Sequence, residues 1–434
     1  MTNTIELRDK ASALRKSKDF NAALPLYEEL WKNRPNERNE WDGWGYASCL
    51  RKVRRAQEAE QVCRDTLKIK SDFAYARNEL AWCLYDLYIK KSDEEISRDE
   101  QPYLRAAKEV TSLVRQDQFS AFAKTILHVS DYLKSKPNPR AQDRYAWLSQ
   151  LDPAQLSTDT FQFTDATGAQ RKLASDKERC FASLTDVLVG LTQWEKCIAV
   201  GEEALKQIQQ FHYDNDIWIR RRIAIAKGKL GRRTEAIADL RDLLVRKKEF
   251  FIQHDLAELL AQEGLTDEAF SFAAQAAIGH GEPQMKLGVF ELLGQLLRAA
   301  DRPKEAAEHY ALMAAVRLEH NWPISSDLAN VLSEAGVQID KLESSNAIIK
   351  RLTPVWAAVA AERQERFTGR ITEIREKFGF VLTQDRKSYF FRLSEFKGPR
   401  RLLAAGQEVT FALEDGFDKK KNIPAKNAVN LQPA

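Results

Sequence analysis

Residues 41–85 read WDGWGYASCLRKVRRAQEAEQVCRDTLKIKSDFAYARNELAWCLY, and their spacing decides the fold. Ala47 is followed twelve residues later by Ala59, and Ala81 stands 34 residues beyond Ala47. Cys49 and Cys83 repeat the same 34-residue step. A small residue at both positions of a pair lets two helices cross closely, where a larger side chain would force them apart. This period, with a small residue on each of two helices, marks a helix-turn-helix repeat array.

The pair recurs along the chain as Ala11 and Ala23, Val129 and Ala141, Thr185 and Cys197, Ala224 and Ala236, Ala257 and Ala269, and Gly294 and Ala306. Further packing positions follow the second small residue by four and seven. Ala23 leads to Tyr27, Leu30 and then Pro35; Ala141 to Tyr145, Leu148 and Pro153; Ala306 to Tyr310 and Met313. The pattern resembles the tetratricopeptide repeat, in about eight copies over residues 4–320. The resemblance implies a mainly α fold, a tetratricopeptide-type α-solenoid superhelix whose faces are buried only against neighbouring repeats. It also implies a concave groove lined by the first helix of each repeat, where this family binds a peptide or protein partner. In that register the groove carries Trp41, Trp44, Asn78, Trp82 and Tyr85, and later Trp218, Arg221 and His254. Aromatic and Arg side chains are common interface anchors. The alternative is that the Trp side chains pack between repeats. The Asn and Lys set with which some relatives clamp a peptide carboxylate is not recognisable.

Two segments interrupt the array. Residues 88–102, YIKKSDEEISRDEQP, read as a polar insertion. Within 160–177, Thr160–Thr164 and Gln170–Leu173 can pair as a hairpin across Asp165-Ala166-Thr167-Gly168. In FHYDNDIWIRRRIA (211–224), Asp216 can cap the following helix. That cluster is read as a solvated helix start in preference to an anion site. Residues 321–366 read as capping and connector helices, with Pro354 inside the second.

The tail, 367–434, changes character. Gly369–Ile374, Lys377–Leu382, Tyr389–Leu393, Val409–Leu413 and Ala425–Leu431 are five short strands separated by turns, which suggests a small closed barrel. The second reads Glu376-Lys377-Phe378-Gly379-Phe380, and the third Tyr389-Phe390-Phe391-Arg392-Leu393-Ser394. Gly406, Val409 and Phe411 follow, then Ala425-Lys426-Asn427-Ala428-Val429. These motifs, in this order, resemble the cold-shock domain, a five-stranded OB-type β-barrel. The resemblance implies binding of single-stranded nucleic acid, RNA or DNA. Alternation along the strands puts Phe378 and Phe380 on one face, and Phe390 and Arg392 on one face. Together they make a platform on which unpaired bases stack. Gly379 is read as leaving a gap between rings. Lys377, Lys387, Lys397, Arg400 and Arg401 are candidates for tracking phosphate. The chain departs from the family at its first-strand Trp, replaced by Glu373 or Ile374, and at Leu393, where the family has an aromatic.

Charge agrees with this division. The whole chain is +4, while residues 367–434 hold thirteen Lys/Arg against eight Asp/Glu, a local excess of +5. No metal or cofactor is expected. The five cysteines form no C-x-x-C pair and read as free packed thiols. The six histidines have no metal-ligand spacing, and H-E-x-x-H, G-x-x-x-x-G-K-[ST] and G-x-S-x-G are absent. The opening residues, MTNTIELRDKASALRKSKDF, alternate charge with apolar positions, so no leader or membrane helix is expected and the cytoplasm is the expected compartment. The expected function is a non-enzymatic adaptor between a protein partner and a single-stranded nucleic acid, with RNA the expected strand. The alternatives are a pure protein–protein scaffold or sensor in a bacterial stress or anti-phage system, and the regulator of a separate nuclease or toxin.

Overall fold

The computed structural model describes residues 3–137, 139–160, 162–165, 167–361, 366–418 and 423–434. They form two compact units, Met1–Ile219 and Arg220–Ala434. The protein is mainly α, built of consecutive helix pairs, with a closed five-stranded β-barrel at its C-terminal end. In the first unit the pairs are α1 (Thr4–Lys16) with α2 (Phe20–Glu28) and α3 (Glu40–Lys52) with α4 (Ala56–Ile69). Next α5 (Ala74–Leu84) is separated by the short α6 (Asp93–Arg98) from its partner α7 (Glu100–Leu113). Then come α8 (Phe122–Ser135) with α9 (Ala141–Leu148), and α10 (Asp176–Gly190) with α11 (Trp194–Gln207). The second unit holds most of α12 (Asn215–Lys229), then α13 (Arg233–Arg246), α14 (Phe250–Gln262), α15 (Thr266–Ile278), α16 (Leu287–Ala299) and α17 (Pro303–Glu319). The last two helices are α18 (Ser326–Glu334) and α19 (Ser345–Ala361).

Every small-residue pair falls on one helix pair, and all these positions are buried except the half-buried Ala141. The Cys197 thiol donates to the Thr185 carbonyl at 3.7 Å, so the two small positions of that pair touch. The aromatic four residues on fills the space that a glycine leaves. A Cβ at Gly294 would stand 2.7 Å from the Tyr310 ring, and Gly45 faces Tyr27 in the same way. All five cysteines are free and buried, and burial pushes the Cys49 and Cys180 thiols up to about 12.

Six of the turns inside the pairs share one geometry. Seven residues after the first small position, Lys18, Arg54, Thr192, Gly231, Gly264 and Asp301 all adopt φ between 55° and 82°. The next residue's N–H reaches back to a carbonyl five positions earlier, as in Asp19 to Leu14, Arg55 to Leu50 and Gln193 to Leu188, each at 2.9 Å. Arg232 to Lys227, Leu265 to Leu260 and Arg302 to Leu297 repeat that bond at 2.9 Å. This is the Schellman closure, in which a left-handed residue lets the chain satisfy the last helical carbonyls. Only two of the six positions are glycine.

The 88–102 segment is more than a polar loop. Its Ser92 and Glu95 form a capping box that starts α6, and Ile89 and Ile96 are buried. The 160–177 segment forms a hairpin, β1 (Gln162–Thr164) against β2 (Gln170–Lys172), with Phe161 and Ala166 outside the described residues. Asp216 is not the cap read from sequence: α12 begins at Asn215, so Asp216 already lies in its first turn. Residues 362–365 of the connector lie outside the described residues.

In the second unit α19 docks through Trp356, which is buried and stacked on Phe290 at 5.9 Å. Its indole N–H donates to His309 Nε2 at 2.9 Å, while His309 Nδ1 lies 2.8 Å from the Glu305 carbonyl. A carbonyl only accepts and an indole N–H only donates, so this imidazole is neutral with its proton on Nδ1. Burial lowers the His309 pKa accordingly.

The barrel consists of β3 (Arg366–Ile374), β4 (Phe378–Thr383), β5 (Ser388–Arg392), β6 (Glu408–Asp418) and β7 (Ile423–Pro433), in the closed order β3-β4-β5-β7-β6. The β5–β7 pairing is parallel and the others are antiparallel. Ile371, Val381, Phe391, Val409, Phe411, Ala428 and Leu431 fill its core.

Two outcomes are expected. Thr192 is β-branched in the left-handed region, a strain of about 1–2 kcal/mol that glycine relieves. Thr192→Gly therefore raises the denaturant midpoint of unfolding. His309 has a folded-state pKa below its unfolded value, so protonation favours the unfolded chain. Its contribution is complete above the unfolded value of about 6.5 and is lost progressively as pH falls through the folded pKa. Urea midpoints measured between pH 7.5 and 5 should fall more steeply for wild type than for His309→Gln.

Candidate functional site

The outer face of the barrel carries an aromatic row. Phe380 pairs with Phe390 across β4 and β5, and Phe378 pairs with Arg392. The three rings cluster, with centroids 5.8 Å apart for Phe378–Phe380, 5.4 Å for Phe378–Phe390 and 6.1 Å for Phe380–Phe390. They are half-buried and stand outside the barrel core, and Arg392 is exposed. The register extends the row in both directions. Glu373 on β3 lies opposite Phe380, and Asn427 on β7 lies beside Phe390.

Gly379 has a different role from the gap read in the sequence. It faces inward, and a Cβ there would stand 2.6 Å from both the Phe391 ring and the Glu373 carbonyl. The glycine is needed because Phe391 fills the barrel core beneath it.

Sequence reading missed Arg375. It sits in the turn between β3 and β4, with its guanidinium 5.5 Å from the Phe378 ring centroid and 2.6 Å from the Glu373 carboxylate. Glu373 is thus neutralised next to the rings. No strand periodicity predicts this contact, because Arg375 lies beyond the end of β3.

The remaining predicted cations are exposed. Lys387 is at the β4–β5 turn, paired with Asp385 at 2.9 Å. Lys397 donates to the Ser394 carbonyl at 3.1 Å, and Arg400 and Arg401 lie in the helical turn Arg400–Leu402. Lys377 is exposed just before β4. The structure brings together Phe378, Phe380, Phe390 and Arg392.

In the first unit, Trp41 and Trp44 on α3 meet Tyr75 on α5, each at 5.1 Å. Trp41 is 48% exposed and Tyr75 52%. The Arg15 guanidinium lies 4.2 Å from the Trp44 ring. Trp82 donates its indole N–H to the Phe119 carbonyl at 2.8 Å and packs edge-on against Tyr85, so its polar edge is already satisfied within the chain. Asn78 reaches the same carbonyl at 3.5 Å, and its own side-chain oxygen is a buried acceptor without a partner. Trp218 is half-buried.

In the second unit Arg221 grips both oxygens of the buried Asp255, one at 3.0 Å, and lies 5.0 Å from the Phe251 ring. His254 Nε2 is 3.9 Å from Glu258. Among the described residues, His254, Asp255 and Glu258 bring ligand atoms within 4.8 Å of one another. Asp255 also accepts from Arg221.

Comparison with known proteins adds the following. Residues 217–354 match a family model described as a domain of unknown function (DUF7017). No curated protein matches the chain. A solved structure described as Naa15/Naa10 bound to HypK-THB is similar at 13% identity and a TM-score of 0.35, over 83% of this chain and 43% of that one. The chain therefore spans less than half the length of that protein. No helix among the described residues is long and apolar enough to cross a membrane.

Gly379→Ala should overpack Phe391 at a cost of about 1–3 kcal/mol. Amide hydrogen exchange across residues 366–392 should accelerate, with the helices unaffected; unchanged exchange would contradict the inward assignment of Gly379.

Proposed function

We propose that this chain is a non-enzymatic adaptor that joins a protein partner to a single-stranded nucleic acid. In this reading residues 4–320 are the partner-binding repeats, 321–366 a connector and 367–434 the nucleic-acid-binding barrel. The observation that carries it is the cluster of Phe378, Phe380 and Phe390 on the outer face of a closed barrel, with Arg392 opposite Phe378. Half-buried rings with an adjacent guanidinium suit a base and its phosphate, because every base has a π-face and Arg both stacks and pairs with phosphate. The partner half rests on Trp41 and Tyr75, large apolar side chains left exposed beside Trp44 and Arg15. Aromatic and Arg anchors of this kind dominate protein interfaces.

The test is fluorescence anisotropy of the full chain with labelled oligouridine and oligothymidine over a salt series. Each stacked base contributes about 1–3 kcal/mol. The Phe378→Ala/Phe390→Ala variant should therefore bind at least about ten-fold more weakly than wild type. Equal binding by the variant, or no binding by wild type at low salt, would overturn the reading.

A further inference from the structure

The aromatic row does not end on the barrel. From Phe390 the register steps to Asn427 on β7 and then to Glu414 on β6. Neighbouring strands are about 4.8 Å apart, so Glu414 lies about 10 Å from Phe390 around the same outer face. The Asn427 amide leans over Gly416, the next outward position of β6, which confirms that these residues share a face. Glu414 in turn holds the ammonium of Lys248, just past the C-terminal end of α13. Beside that ion pair is a cavity of about 300 Å³ between the helices and the barrel, lined by Lys248, Arg241, Gln253, Phe272 and Glu414 among others.

The two ends of the row are alike. At one, Glu373 holds Arg375; at the other, Glu414 holds Lys248. Arg375 stands next to the rings and Lys248 lies two strands beyond them, past Asn427, and each is neutralised by a carboxylate of the barrel. Both pairs are partly exposed, and such pairs are worth about 0–1 kcal/mol, little enough for a phosphate to displace the carboxylate.

We infer that the single-strand path runs from the phenylalanine platform across Asn427 to the helical array, with Lys248 as a phosphate contact supplied from outside the barrel. This rests on the proposed nucleic-acid reading and extends it: the binding surface is composite, and Glu414 keeps Lys248 in reserve when no strand is bound.

The experiment uses the full chain and labelled oligouridine, with Lys248→Ala, Lys248→Arg and Glu414→Gln compared by anisotropy over a salt series. Lys248→Ala should weaken binding by about three- to ten-fold and lower the salt slope by about 0.7, the loss of one single-strand phosphate contact. Lys248→Arg should keep both values. Glu414→Gln breaks the same ion pair but leaves the ammonium, so it should bind more tightly. If Lys248 acted only by pinning the barrel, Glu414→Gln would weaken binding as Lys248→Ala does, and that result would overturn the inference. Wild-type affinity and slope in Lys248→Ala would also overturn it, leaving the platform reading intact. Failure of wild type to bind at all would instead remove the platform reading and this extension together.

Discussion

The close crossing of two helices over small side chains is the constraint on which the array depends. Ala11 over Ala23, Ala47 over Ala59 and Thr185 over Cys197 have no room for a larger group, and each is buried. Close crossing fixes the angle of the pair, which fixes where the next pair can pack. The aromatic partners follow from it. Tyr27 and Tyr310 lie where Gly45 and Gly294 leave their Cβ positions empty. The left-handed turn residue also follows, because a pair that crosses this closely must reverse direction within a few residues. The chain accepts Lys18, Arg54, Thr192 and Asp301 in that conformation to achieve it.

The barrel obeys a different rule. Its interior is filled by alternate residues, so the intervening residues must face outward whatever their character. Phe391 goes into the core, and Phe390 and Arg392 are thereby sent to the surface; Gly379 makes room for Phe391, and Phe378 and Phe380 follow outward. The platform and the core are two readings of one alternation. A large aromatic residue on the outer face is not needed for the barrel to close, which is why its presence invites a functional explanation.

Much of this was legible in the sequence. The twelve-residue spacing of small residues located seven helix pairs, because crossing geometry constrains side-chain size directly; it missed α5 with α7, which α6 separates. The platform rings were legible because strand alternation is a local rule. What escaped notice was of two kinds. The turn geometry was hidden because only Gly231 and Gly264 announce it, while Lys18, Arg54, Thr192 and Asp301 adopt the same φ without the residue type that signals it. The contacts of Arg375 and Lys248 were hidden because they depend on how a turn and a helix end meet the barrel, and side-chain periodicity carries no information about either. Asp216 was misread as a cap because helix boundaries set by backbone geometry shift by a residue or two from those suggested by composition.

The recurrent turn also bears on the order in which the chain acquires its structure. Except for α5 and α7, each pair closes on itself over a separation of about a dozen residues, and its partner helices are neighbours in sequence. Contacts of such short range form quickly and can do so one after another as the polypeptide lengthens. The barrel has no such shortcut. Its closure joins Arg366 to Ala412, and β5 must wait for the parallel arrival of β7 at Asn427. A growing chain would thus present a string of finished helical hairpins well before its barrel is sealed. Lys248 and α13 would already be in place as a template against which the late strands settle.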